Sequence, residues 1–445
     1  MKYLIYLLGA FGFVFLSCSK DKLNNPLDQR LEQIIKKVAA DGQLDYFILP
    51  ENTDYHSIPQ DPRNPITKGK VELGRMLFFE TGLAISPVHE LGRGTYSCGT
   101  CHVPSAGFMP GSAQGIADGG VGFGENGERR SNLPFYDESE LDVQGARPLS
   151  LINVAFVKNT SWNGQFGYND NNEGTEDLWN EEELTEINHL GYFGLESQNI
   201  EGLAIHRMSM DDTVLDTFGY RALFDACFSE FPVEDRYNHT TMSLAISSYL
   251  RTLISNRAPF QDWLKGNELA MDDQMKKGAL LFFGKAKCIN CHNGPTLNNP
   301  DHFYALGVKD LYETGAFGTD VDDRRNIGRG GFTKKEEDMY KFKVPQLYNM
   351  KDANFYFHGS SKHSLQEVVE YFNEGIAEND RVPADQISPQ FRPLELTEQE
   401  IEDLVYFLEK GLYDADMERY LPDAVLSGNC FPNNDPFSQI DLGCQ

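Results

Sequence analysis

Positive charge is scarce in this chain. Of 445 residues, 39 are Lys or Arg against 67 Asp or Glu, leaving a formal net charge of −28. Such a surface repels phosphate, so nucleic acid is excluded as a partner. A small, positively charged redox protein would instead be drawn toward it. Long apolar runs are also rare. The run from Tyr3 to Leu16, at the start of the chain, is too short to span a bilayer. Strand signals are few, which turns the fold class toward mainly α. The rest of the composition, 40% apolar and 24% charged, is ordinary for a soluble globular protein, and the length suffices for two or three domains.

The opening "MKYLIYLLGAFGFVFLSCSK" reads as an export signal: a charged start at Lys2, the apolar run, then Ser17-Cys18. A small residue before a cysteine resembles a bacterial lipoprotein signal. It predicts cleavage after residue 17, acylation of Cys18, a membrane surface held through the lipid, and a periplasmic or cell-envelope location. Residues 18–66 then form a tether and N-terminal extension. Export also implies an oxidising compartment, so Cys430 and Cys444, which bracket "CFPNNDPFSQIDLGC", are expected to form a disulfide in a tail spanning 414–445. Cys227, in "LFDACFSEF", reads as a small buried helix residue.

The remaining four cysteines form two C-x-x-C-H motifs: Cys98, Cys101 and His102, and Cys288, Cys291 and His292. Three chemistries use such spacing. A thioredoxin-like thiol pair needs a βαβ context, which neither motif has. A shared zinc site has no use for the histidine that follows each pair. Covalent haem c explains all three residues: thiols at i and i+3 share a face and reach both vinyl groups, and the next residue lies beneath the iron. Two haem c groups are therefore expected, with His102 and His292 as proximal iron ligands.

Helical periodicity is clear in several stretches. In "DQRLEQIIKKVAAD" Leu31, Ile34, Ile35 and Val38 share one face. Helices are also expected over 68–80, 240–256, 271–292, 364–375 and 397–414, the last opened by a Thr397/Glu400 capping box. "ADGGVGFGENGERR" must be loop. The stretches before the two C-x-x-C-H motifs share G-x-x-LFF, which points to a duplicated unit.

Taken in order, "LGRMLFFE", "SCGTCH", "NVAFVKNTSWNGQF", "GLESQ", "ISSYLRTLISNRAPFQDWLKG", "GALLFFGKAKCINCHNGP", "FKVPQLYN" and "YFHGSSKHSLQEVVEYF" resemble the bacterial diheme cytochrome c peroxidases. The superfamily also contains the diheme enzyme of methylamine utilisation. The resemblance spans about 68–412. It implies two packed cytochrome c-like haem domains with long loops: an N-terminal peroxidatic one at 67–265 and a C-terminal electron-transfer one at 266–413. It further implies reduction of hydrogen peroxide by electrons from a small c-type cytochrome or cupredoxin, and often a homodimer. Trp162 matches the tryptophan between the haems, and His358 a histidine of the inter-haem region.

The sequence departs from the family in four places. Asp118 stands where many members carry a histidine that blocks the peroxidatic iron, so that iron is expected to be open. No clean match exists for the distal acid/base; His206, Arg207 and Glu201 are the candidates, a histidine beside an arginine being suited to proton transfer and charge stabilisation. The usual distal methionine or tyrosine of the second haem is replaced by Phe372, which leaves neighbouring Tyr371, or Met339 or Met350, as ligand. A family calcium site uses an asparagine and backbone carbonyls. The carbonyls of Ala353 and Phe355 match, but Arg147 stands near the asparagine's place.

Three functions follow: a peroxidase, a methylamine-utilisation-type oxidase of a protein or organic substrate, and a non-catalytic diheme electron carrier or sensor. A pyridine haemochrome assay should give two haem c per chain. It should give one when Cys98 and Cys101, or Cys288 and Cys291, are replaced by Ala.

Overall fold

The computed structural model describes residues 25–182 and 184–444. The export segment and the acylation expected at Cys18 lie outside the described residues. The described chain is mostly helical with little sheet, and its longest α-helices run in the order α1 (Pro26–Val38), α2 (Lys68–Phe79), α3 (Gly194–Ile205), α4 (Tyr220–Cys227), α5 (His239–Leu250), α6 (Pro259–Leu264), α7 (Asp273–Phe283), α8 (Leu365–Glu374), α9 (Glu398–Tyr406) and α10 (Pro436–Leu442). Two short antiparallel ladders complete it. One pairs Gly120–Val121 with Ser131–Asn132, inside and just after the glycine-rich loop. The other pairs Asn299–Tyr304 with Phe342–Val344.

Helix starts fall where the caps predict. Thr67 accepts from the Lys70 amide, Asp272 from that of Met275, and Thr397 and Glu400 close their capping box. Two helix ends come earlier than periodicity suggests. α5 stops at Leu250 because the following segment pairs elsewhere: Leu253 accepts from the Asn153 amide, and Ser255 donates to the Asn153 side chain. α7 stops at Phe283 because Lys287 turns left-handed (φ 57°), which starts a separate turn at Cys288.

The repeated G-x-x-LFF has a packing reason. α2 crosses α5, and a Cβ on Gly74 would lie 1.9 Å from the Ala245 carbonyl oxygen. α7 crosses α9, and a Cβ on Gly278 would lie 2.0 Å from the Asp403 carbonyl oxygen. Each glycine thus lets two backbones touch, and the phenylalanines after it are buried in the core.

The chain ends cross over. α1, within the stretch expected to be tether and extension, buries Leu31 and Ile35 and packs on α7. Its buried Asp28 accepts from Trp263 Nε1 at 2.7 Å and Lys276 Nζ at 3.0 Å. The tail, closed by a Cys430–Cys444 disulfide (Cα–Cα 5.9 Å), returns to the first half. There Pro432 accepts from Ser97 Oγ, and Asp435 pairs with buried Arg130 of the glycine-rich loop at 3.4 Å.

Gly74→Ala and Gly278→Ala should each destabilise the fold by about 1–3 kcal/mol through overpacking. Gly202→Ala, whose Cβ would meet nothing closer than 3.9 Å, should cost nothing. Thermal or denaturant unfolding of the three variants checks this.

Candidate functional site: a cavity shared by two C-x-x-C-H turns

Each C-x-x-C-H opens with one 3₁₀ turn, Cys98–Thr100 and Cys288–Asn290. In such a turn i and i+3 eclipse, which sets both thiols of a pair on one face. The turns are closed by the His102 and His292 amides, which donate to the Cys98 and Cys288 carbonyls at 3.1 and 2.9 Å. Neither pair is joined as a disulfide. Burial pushes the Cys98, Cys101 and Cys288 thiols up to about 12, unlike the low-pKa, accessible thiols of redox exchange.

The two histidines are held alike. His102 donates Nδ1–H to the Phe108 carbonyl at 3.0 Å, and His292 to the Leu297 carbonyl at 2.7 Å. A carbonyl only accepts, so Nδ1 carries the proton and Nε2 keeps its lone pair. Burial pushes both imidazoles down to about 4, so they stay neutral. Both acceptors, Phe108 (φ 55°) and Leu297 (φ 54°), sit in left-handed backbone that brings their carbonyls back to the ring. Behind the rings stand Phe78 and Phe282, with centroids 6.5 and 6.3 Å away.

Both turns line one cavity of about 1280 Å³. Seven Lys and Arg side chains line it against two acidic ones, in a chain of net charge −28. Among them, buried Lys343 Nζ has no hydrogen-bond partner among the described residues, and burial pushes it down to about 7. Four thiols, two imidazoles with free Nε2 and a cationic rim for carboxylates are the donor set that two covalently attached haems require. The residues fit the group.

In the wall of the same cavity, Trp162 donates Nε1–H to the Arg147 carbonyl at 2.6 Å. His358 lies flat on Phe342 (centroids 3.6 Å apart, 10° between planes), and its Nε2 pairs with Asp310 at 3.0 Å. Trp162 and His358 are 6.2 Å apart, and both line the cavity.

The expected distal residues separate. His206, at the C-terminal end of α3, lines the cavity, with Nδ1 against both Asp142 oxygens at 2.9 and 3.0 Å. Burial works to lower its pKa, but Asp142 outweighs burial and Arg207, and the net shift is upward. Arg207 does not face the cavity. Its left-handed backbone (φ 56°) carries the guanidinium to Asp118 at 2.5 Å and the Glu140 carbonyl at 3.0 Å. Asp118 itself is buried, accepts also from Tyr136 and the Val88 amide, and does not line the cavity.

Glu201 lies outside the cavity lining, its carboxyl raised by burial and by Glu186 and Glu181. Tyr371, expected as an iron ligand, donates its hydroxyl to the Leu306 carbonyl at 2.7 Å and packs on Phe391, away from the cavity. Phe372 and Met350 do line it, whereas Met339 does not. Two residues of the site escaped assignment from the sequence, Gln198 on the cavity wall and Asp142 behind His206. Gln198 ends the quoted "GLESQ", so its motif was visible. Asp142 lies in no motif, and only its contact with His206 identifies it.

Residues 68–269 match the family model described as di-haem cytochrome c peroxidase. The chain is 30% identical to the methylamine utilization protein MauG of Methylorubrum extorquens, over 79% of this chain and 81% of that one. It is 28% identical to the cytochrome-c peroxidase IdrP1 of Denitromonas iodatirespirans, over 79% and 84% of the two chains. Its fold is similar to the crystal structure of a MauG-like protein associated with microbial copper homeostasis, with TM-score 0.58 and 24% identity over 83% of this chain and 95% of that one.

Because its hydroxyl is engaged with Leu306, Tyr371→Phe should leave the visible spectrum of the holoprotein unchanged. It should cost about 1 kcal/mol of stability, the worth of one hydrogen bond. A loss of a low-spin signal on this substitution would restore Tyr371 as a ligand.

Proposed function

The chain belongs to the di-haem cytochrome c peroxidase family, which includes cytochrome-c peroxidases and MauG, and from that premise we propose that it reduces hydrogen peroxide to water. The proposed donor is a small redox protein of the cell envelope, a c-type cytochrome or cupredoxin, drawn by opposite charge to this acidic chain. The two haem c groups occupy domains at 67–265 and 266–413. The export signal supports a lipid-anchored periplasmic location. No helix among the described residues is long and apolar enough to cross a membrane.

The observation that carries the reading is His206 on the cavity wall, held by Asp142, in the cavity that His102 also lines. When bound, the haems supply iron that binds peroxide and the electrons that split it. The protein must then move a proton from the near oxygen of peroxide to the far one, so that the far oxygen leaves as water. Asp142 holds Nδ1–H, which leaves Nε2 as the nitrogen that takes and returns that proton. The buried carboxylate also stabilises the imidazolium formed in between, as in a catalytic dyad. Trp162, fixed through its N–H, stands as the aromatic relay for electrons from the His292 side.

The first-named relative favours a second reading, an oxidase of a protein or organic substrate, because it is the methylamine utilization protein. Purified diferric protein mixed with peroxide, and then with reduced cytochrome c, separates the two. Rapid donor oxidation supports the peroxidase. A long-lived oxidised spectrum without donor turnover supports the oxidase, and no spectral change supports a carrier or sensor.

His206→Ala should slow the peroxide reaction by roughly 10²–10⁴-fold with both haems retained. The reaction needs neutral His206, whose pKa is raised by Asp142, so the rate should fall as pH drops through that raised value. Asp142→Asn removes the raising partner, so burial and Arg207 should move this acid limb to lower pH. An unchanged limb would remove His206 from the mechanism.

A further inference from the structure

Arg147 lines the cavity, and its guanidinium is held by carbonyl oxygens of the chain. It is fully buried, and no carboxylate is hydrogen-bonded to it among the described residues. Its Nη1 donates to the Ser112 carbonyl at 2.6 Å and its Nη2 to the Pro110 carbonyl at 2.7 Å. Its Nε is buried without a partner among the described residues. The Phe355 ring stands 5.4 Å away, presenting the negative face of its quadrupole. Two carbonyl dipoles and an aromatic face thus converge on one positive charge.

The backbone of Arg147 joins the parts around the cavity. Its amide donates to the His358 carbonyl at 2.8 Å, and its carbonyl accepts from Trp162 Nε1 at 2.6 Å. One residue therefore ties the segment after His102 to Trp162 and to His358.

The calcium site implied by the family resemblance does not fit here. In the sequence Arg147 stands near the place of the asparagine donor. Of the two carbonyls expected there, those of Ala353 and Phe355, that of Ala353 accepts from Tyr356 Oη at 3.1 Å. The carbonyls of Pro110, Gly111, Ser112, Ala113 and Gln114 each accept from a side chain, namely from Arg147, Asn354, Arg147, Ser360 and Ser112.

We propose that Arg147 is a tethered cation that takes the place of an inter-haem calcium ion, so that the frame holding Trp162 and His358 is independent of metal. A guanidinium suits the task because its planar fork reaches two carbonyls at once and cannot dissociate. Arg147 is a positioning residue: it acts through Trp162 and His358 and touches no reacting atom. The inference rests on the two-haem reading but not on peroxidase activity, and its test uses no peroxide.

The test takes the purified holoprotein. Elemental analysis should find no stoichiometric calcium. Neither EGTA nor millimolar calcium chloride should shift its melting temperature or the rate at which an electron equilibrates between the haems after half-reduction. Arg147→Met, which keeps the length and loses the charge, should slow that equilibration by roughly tenfold or more, as expected when a relay group is displaced. Arg147→Lys, which keeps the charge, should retain most of the rate. One calcium per wild-type chain, or a wild-type melting temperature lowered by EGTA, would overturn the proposal even if neither variant folds. Equal rates in the Met and Lys variants would overturn it as well.

Discussion

A histidine that is to hold iron through Nε2 must first commit its Nδ1 proton, and much of this structure follows from that requirement. Both C-x-x-C-H loops meet it in the same way. The chain runs five or six residues past the histidine, enters left-handed backbone at Phe108 or Leu297, and returns a carbonyl to the ring. A buried amide–imidazole bond of this kind is costly to leave unmade, so it fixes the ring's rotation as well as its tautomer. The helix before each loop carries a phenylalanine to the back of that ring and a glycine to the backbone of a partner helix. Duplication of the unit is thus visible in geometry at three levels: helix contact, ring support and proton placement.

Around this frame the polar groups are sorted by charge. The chain is strongly acidic, yet the cavity wall is cationic, which suits carboxylate-bearing groups inside and a cationic partner outside. Two buried carboxylates near the end of α3 show how adjacent residues acquire different roles. Asp142 takes His206, and Asp118 takes Arg207. His206 stays on the cavity wall with its Nδ1 held by Asp142. Arg207 is spent on holding the glycine-rich loop, a structural use that leaves no open charge beside His206.

The crossing of the chain ends matters for the same frame. α1 braces α7, which leads into the second C-x-x-C-H, through Asp28, Trp263 and Lys276. The disulfide-closed tail braces the first C-x-x-C-H through Ser97 and Thr100, and the glycine-rich loop through Arg130 and Asp441. Each attachment turn is a single 3₁₀ turn with little stability of its own. Support from a distant segment therefore keeps its thiols and imidazole in place.

What the sequence determined was local. The attachment residues, the helix starts and the repeated G-x-x-LFF were readable because a turn, a cap and a helix face are set by neighbours three or four residues apart. Tertiary structure alone decided which partners the side chains of the site took. His206 and Arg207 are adjacent in sequence, but a left-handed residue sends them apart, each to a carboxylate 64 or 89 positions away. Tyr371 sits one residue from cavity-lining Phe372, yet helix geometry turns it to Leu306. Arg147 gave no sign in the sequence of the carbonyls that surround it. Side-chain direction and the pairing of buried charges depend on contacts made across the fold, and local patterns do not encode them.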